Sequence, residues 1–454
     1  MNVESGRILP AGLRRRRPAT PDALPWYGLV IFTFVFITAR LPTLFSEFGI
    51  YLALLGLAVR PRHLGFPTPL RWAVLCLLWA VVTAFYAIVP GTAWPALLEW
   101  LKALVIFFVV VNVLRTPQQL RFYILLILFA FVIYPARGTL VNYLRGETLA
   151  GRAIWNEMYS NPNDLGGITL LMLGSALAIA TVKTQDARVR RAAAALVAVT
   201  LLIILLTQSR GVFIGLLVGF GPPLLARLRK RPSATAPVLV VLAVIAVLVP
   251  AASWHRLGGI ANLRETIAGT PGPRPSTAGE PSFNTQLADD SSRDRFTGLA
   301  ESSARARFEI LKTGLSIFAS NPVLGVGIGC YREANERYAP ELGERDAHNT
   351  YVGLAAETGF PGLLLWLGLV GSVLSRVRGR RAQIVADDRM IQVFWIERAV
   401  IGFLVAGFFI SYASLTVFYL FLGILWTASN MLGRDATEPA EATVPPGRRA
   451  LRSR

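Results

Sequence analysis

Three side chains stand where a membrane-spanning sequence has little reason to keep them: Arg210, Arg307 and His348. Arg210 belongs to Thr207-Gln208-Ser209-Arg210-Gly211, between two apolar runs. An arginine at such a boundary is costly and either marks a site or snorkels to lipid headgroups. Arg307 reads equally as the solvated face of a surface helix. His348, in Asp346-Ala347-His348-Asn349, stands at the mouth of an apolar run. It is either a hydrogen-bonded structural histidine or a group whose titration range suits proton transfer near neutrality. Two guanidiniums match a diphosphate bidentately, and an imidazole can take a proton from an attacking hydroxyl. With a sugar on a lipid diphosphate as donor, the arginines would stabilise the charge that grows on the departing diphosphate.

The stretch Arg307 to Gly362 organises these residues. Phe308, Leu311, Leu315, Ile317 and Phe318 predict one apolar face of an amphipathic helix lying along the membrane surface, with Arg307, Glu309 and Lys312 opposite. Asn321-Pro322 ends that helix. Gly325, Gly327 and Gly329 then predict a turn at which backbone amides approach a ligand. Arg137 and Asn161-Pro162-Asn163-Asp164 form a further polar cluster, with loop anchoring and capping of the following helix as the plainer role of Asn163 and Asp164. Glu99 and Lys102 lie one helical turn apart and read as a pair.

The elements that must position these groups are membrane helices. Of 454 residues, 54% are hydrophobic and 16% charged, the balance of an all-α polytopic membrane protein. Twelve spans are expected: Trp26–Ala39, Leu44–Val59, Trp72–Val89, Pro95–Leu114, Leu120–Ala136, Leu165–Val182, Ala192–Gln208, Val212–Ala226, Val238–Ala252, Leu354–Leu374, Gln392–Ile410 and Ser414–Leu432. This divides the chain into a basic cytoplasmic tail (1–25), nine spans (26–252), a large periplasmic loop (253–353, flexible over 266–298), three spans (354–432) and a second tail (433–454). Lysines and arginines crowd every second loop, whereas Ser253 to Ala355 carries 11 of them against 12 acids. The alternation puts both termini inside. It makes the net charge of +19 a topology signal, and nucleic-acid binding loses its motivation.

Cys76 and Cys330 are too isolated for a disulfide or a metal site, and His63, His255 and His348 are scattered without a carboxylate cluster. No metal and no other cofactor is expected. No internal repeat suggests duplicated halves.

In their order along the chain, Asn161-Pro162-Asn163-Asp164, Ser209-Arg210-Gly211, Arg307 followed by Asn321-Pro322-Val323-Leu324-Gly325-Val326-Gly327, His348-Asn349-Thr350-Tyr351 and Glu357-Thr358-Gly359-Phe360-Pro361-Gly362 resemble the O-antigen ligase and polymerase superfamily of bacterial membrane proteins. The resemblance covers about Asn161 to Leu367 and implies a fold related to the membrane-embedded GT-C glycosyltransferases. It also implies metal-independent transfer of a glycan from undecaprenyl diphosphate at the periplasmic face of the inner membrane. Arg210 and Arg307 would bind the diphosphate, and His348 would act on the acceptor hydroxyl or orient it. Arg305, Arg137, Asn349 and Asn163 complete the expected substrate contacts. Two departures stand out: Leu311 occupies a position where the family often has tryptophan, and Ala306 replaces a preceding glycine. With Arg305 two residues earlier, either arginine fits the motif.

The acceptor expected first is lipid A core. A repeat-unit polymerase and a protein O-oligosaccharyltransferase are the alternatives among enzymes, and a lipid-linked sugar flippase or exporter is the alternative of another class. An exporter needs charges along several spans, which hold few here.

Overall fold

The computed structural model describes residues 23–59, 64–230, 306–381 and 388–432. The expected span Val238–Ala252, the 266–298 insertion and Arg305 lie outside them. The other eleven expected spans fall on helices, and the described residues form no sheet, only an isolated bridge between Leu149 and Arg152. The helices, numbered in chain order, are α1 (Ala23–Thr38), α2 (Thr43–Val59), α3 (Thr68–Phe85), α4 (Pro90–Val113), α5 (Pro117–Phe131), α6 (Arg137–Leu144), α7 (Pro162–Ala180), α8 (Ala187–Leu206), α9 (Arg210–Lys230), α10 (306–320), α11 (Tyr331–Tyr338), α12 (Thr350–Arg381), α13 (Asp388–Ala406) and α14 (Thr416–Met431). Seven are long and apolar enough to cross a membrane, with α5 and α6 acting as one rod, and α1, α2 and α14 are shorter apolar helices.

The bundle is built around α14 and α7. Both are apolar on nearly every face and buried along most of their length, as a helix without a polar side must be when it sits at a centre. α14 packs on α4 and α13, α7 on α8 and α13, α13 on α9, and α12 on α3. Gly215 of α9 and Gly402 of α13 meet backbone to backbone, the close approach that helices use where apolar burial gives no drive for association. One polar pair in the core is satisfied locally: the Trp366 indole donates to the Tyr419 hydroxyl (3.1 Å), which donates to the Ala413 carbonyl (2.7 Å).

Two helices depart from the expected spans at prolines. The fifth span does not end at Ala136, because a π-turn over Val132–Ala136 accommodates Pro135 and carries the rod on to Leu144. A wider turn tolerates the residue that cannot donate its amide. In α12 the break comes at Gly359 (φ 68°, ψ −177°), two residues before Pro361, in a backbone region open essentially to glycine alone. A Cβ there would fall on the Val323 carbonyl, so the kink doubles as a seat for the preceding loop, and the Phe360 amide donates to the Pro322 carbonyl at 2.8 Å.

That contact corrects the expected role of the glycine turn. The amides of Val326 and Gly327 donate to the carbonyls of Ala356 (2.9 Å) and Glu357 (3.0 Å), and the Val326 carbonyl accepts from Ile88 (3.0 Å). Gly325, at φ 68°, lies against the Glu357–Thr358 backbone. Glycine is needed here because chain packs on chain, and the Val326 and Gly327 amides are already taken.

The expected amphipathic helix forms as α10, with some of its apolar residues packed on the protein and others exposed. Ile310, Gly314 and Ile317 face the protein, whereas Phe308 and Leu315 are exposed. Arg307 falls on the stripe of Ile310 and Ile317, three and ten residues before them, and is half-buried. Tyr331 of α11 fixes the helix by donating its hydroxyl to the Ile310 carbonyl at 3.0 Å. Glu99 and Lys102 pair as expected at 2.8 Å on an exposed face, and both cysteines are free and buried.

Candidate active site

One end of the bundle gathers the residues singled out above. The turn from α8 to α9 begins with Gln208 in the left-handed region (φ 50°), which reverses the chain so that Arg210 becomes the first residue of α9. Behind it, the loop between α6 and α7 is stitched to the end of α8: Ala153 donates its amide to the Leu206 carbonyl (3.0 Å), and Gln208 Nε2 donates to the Gly151 carbonyl (3.0 Å). Between them Arg152, buried, donates from Nε to the Thr207 carbonyl at 2.8 Å and from a terminal nitrogen to Asn163 Oδ1 at 2.7 Å. A planar fork spanning two acceptors in one rotamer is what distinguishes arginine from lysine here.

The expected capping role is divided between neighbours. Asn161 caps α7, its Oδ1 accepting from the Asn163 amide at 2.8 Å, while Asn163 anchors the loop through Arg152. Asn349 caps α12, accepting from the amides of Tyr351 (3.0 Å) and Val352 (3.1 Å). The Oδ1 atoms of Asn163 and Asn349 are thus engaged within the fold.

A second loop, between α13 and α14, connects these turns to His348. Phe409 packs on Gly211, where a Cβ would stand 2.5 Å from the Phe409 Cβ. The Gly407 carbonyl accepts from the Thr350 amide (2.7 Å), and the Thr350 hydroxyl donates to the Ile410 carbonyl (2.6 Å). The Tyr412 hydroxyl donates to the Asn163 carbonyl at 2.8 Å. The links run from Arg210 through Gly211, Phe409 and Thr350 to His348.

His348 itself adopts a left-handed conformation (φ 47°), uncommon for a residue with a side chain. It is partly buried. Burial first, and then the positive field of Arg307, hold its imidazole below the ordinary histidine range; Asp346 pulls the other way and Arg345 adds to the depression. A neutral imidazole, flanked by a guanidinium near enough to act on it, suits a group that accepts a proton beside an anion. Arg210, Arg307 and His348 therefore share one end of the bundle, carried by three different elements.

Arg137 lies to one side. It opens α6 and lines a cavity of about 480 Å³ together with Arg40, Arg145, Glu147 and Trp155. Sequence reasoning passed over Arg152, Arg40 and Arg145. The signal that favoured Arg210, an arginine on the side opposite the basic loops, applies equally to Arg152; its bridging role depends on a loop path that sequence does not show.

Residues 192–367 match the family model described as O-antigen ligase. The match supports the O-antigen ligase superfamily identified from the motifs. It takes in Arg210, Arg307 and His348 and leaves out Arg137, Arg152 and Asn163. No curated protein matches the chain.

Proposed function

From the O-antigen ligase match over residues 192–367, we propose that this multi-pass protein transfers a preassembled glycan from undecaprenyl diphosphate to an acceptor hydroxyl, that of lipid A core first. The reaction takes place at the periplasmic face of the bacterial inner membrane, within a twelve-span fold of GT-C type with both termini cytoplasmic. In this reading Arg210 and Arg307 cradle the diphosphate, with Arg305 as a neighbouring contact, and Asn163 and Asn349 hold the loops that frame it. The acceptor oxygen attacks the anomeric carbon of the donor, and its proton passes to His348. The bond from that carbon to the diphosphate breaks, and the electron pair leaves with the diphosphate, whose growing charge the guanidiniums stabilise. These side chains supply each role without a metal.

The observation that carries the reading is the meeting, at one end of the bundle, of a depressed-pKa histidine and two arginines from separate elements. The basic loops lie at the opposite end, with Arg115, Arg188, Arg227 and Arg378 among their arginines, which supports a periplasmic site.

Removal of the protein from its native cell tests this directly. Long polymers stranded on undecaprenyl diphosphate are expected of a ligase. Single repeat units would identify a polymerase, and an unchanged lipid-linked profile would refute glycan transfer from this carrier. Arg210→Ala and His348→Ala are expected to abolish transfer in protein that still inserts; unaltered transfer by both would sink the mechanism.

A further inference from the structure

We propose that the cavity between α6 and the loop that follows it binds a phosphorylated sugar of the acceptor; this rests on the glycan-transfer reading above. Three exposed guanidiniums, those of Arg40, Arg137 and Arg145, line it together with the single carboxylate of Glu147, a formal balance of +2. Among the described residues none of the three makes a side-chain hydrogen bond or ion pair, whereas Arg152, on the same loop, is bridged to two partners. Like charges gathered without partners repel, and an anion entering between them relieves that repulsion. A phosphate monoester near neutrality carries about −1.5 to −2 charge and three acceptor oxygens, which complements the balance in both sign and size. Guanidinium forks match its geometry.

The rest of the wall suits a sugar. The Trp155 ring packs against Gly138, where any Cβ would collide with it, and lines the cavity with an apolar ring of the kind against which sugar C–H groups pack. Its indole Nε1 is buried without a partner among the described residues, an unusual state for a strong donor. Asn142 and Asn156 add amide groups that can donate to and accept from hydroxyls. The volume of about 480 Å³ falls in the range of small-molecule sites.

The loop also decides which substrate the cavity serves. One of its faces sends Arg152 towards Thr207 and the Arg210 turn, and the other supplies Trp155 and Asn156 to the cavity. The donor diphosphate already has Arg210 and Arg307. A second cationic cavity one loop away is available to the second substrate, and it lies outside the 192–367 match.

The test uses the full chain in nanodiscs of one zwitterionic lipid, with transfer measured against a phosphorylated lipid A core and the same acceptor after phosphatase treatment. In an Arg40→Gln/Arg137→Gln/Arg145→Gln variant, KM for the phosphorylated acceptor should rise by roughly ten-fold or more, the loss of at least one charge-assisted hydrogen bond, with kcat and the donor KM little changed. With the dephosphorylated acceptor the gap between variant and wild type should close to under about two-fold, as removal of the second partner of a pair requires. The single change Arg145→Gln, at an exposed position beyond the end of α6, should give a smaller rise of the same kind should the triple variant fold poorly. An unchanged acceptor KM, an equal rise on both acceptors, or a rise in donor KM instead would each overturn the proposal. If His348→Ala still transfers glycan, the reading beneath it fails; if that variant is inactive while the arginine variants behave as wild type, the cavity proposal alone fails.

Discussion

Arg152 offers the sharpest test of how the active end is held. Its guanidinium makes two charge-assisted hydrogen bonds in a buried setting, to the Thr207 carbonyl at 2.8 Å and to Asn163 Oδ1 at 2.7 Å. Bonds to charged groups contribute about 1.5–3 kcal/mol each, so Arg152→Ala should cost about 3–6 kcal/mol of stability. The larger consequence is positional. Thr207 stands three residues before Arg210, and Asn163, in the first turn of α7, is tied through Tyr412 to Thr350 beside the His348 turn. Displacement of a reacting group by about 1 Å costs on the order of 100-fold in rate. Arg152→Ala should therefore lower glycan transfer by roughly 100-fold and lower the melting temperature of the purified protein in detergent. Arg152→Lys, whose single ammonium cannot span both acceptors, should recover only part of each. Wild-type transfer together with an unchanged melting temperature in Arg152→Ala would refute the argument that this bridge fixes the Arg210 turn.

Two further outcomes follow from the same geometry. If His348 accepts the acceptor proton, its neutral form is the active one, so kcat/KM is flat above its pKa and falls as pH drops through it. Asp346 raises that pKa against the larger effects of burial and Arg307, so Asp346→Asn should lower it further and move the acid limb to lower pH; a limb that stays in place or moves to higher pH counts against His348 as the base. Gly359→Ala should destabilise the protein, by roughly 1–3 kcal/mol from its backbone conformation alone and more from the collision with the Val323 carbonyl; thermal melting of the variant at wild-type temperature would contradict the kink as drawn.

The apolar segments were legible in the sequence because bilayer crossing demands long runs that nothing else explains, and the eleven runs among the described residues fall on helices. Ser209-Arg210-Gly211 and His348-Asn349 were legible because costly or titratable residues at span ends carry their own signal. Local chemistry misled where tertiary packing set the use of a residue. Gly325 and Gly327 look like a ligand cradle until α12 is seen behind them. In α10 the sequence pattern does not separate Ile310, Gly314 and Ile317, which pack on the protein, from Phe308 and Leu315, which stay exposed. Arg152 could not be distinguished from Arg145 in sequence, because one enters the fold and the other lines a cavity only through the path of their shared loop.

The mounting of Arg307 bears on how this chain can vary in length. The contacts described for α10 come from residues C-terminal to it: the Tyr331 hydroxyl on Ile310, and Val352 and Tyr331 against Gly314. α12 in turn clasps the turn that follows α10 through Val326 and Gly327. Arg307 and His348 are therefore carried on one short unit of chain, 306 to 360, which Ile88, Trp79 and Gly407 tie in turn to the bundle. A single residue gained or lost between Tyr331 and Thr350 would shift the arginine against the histidine.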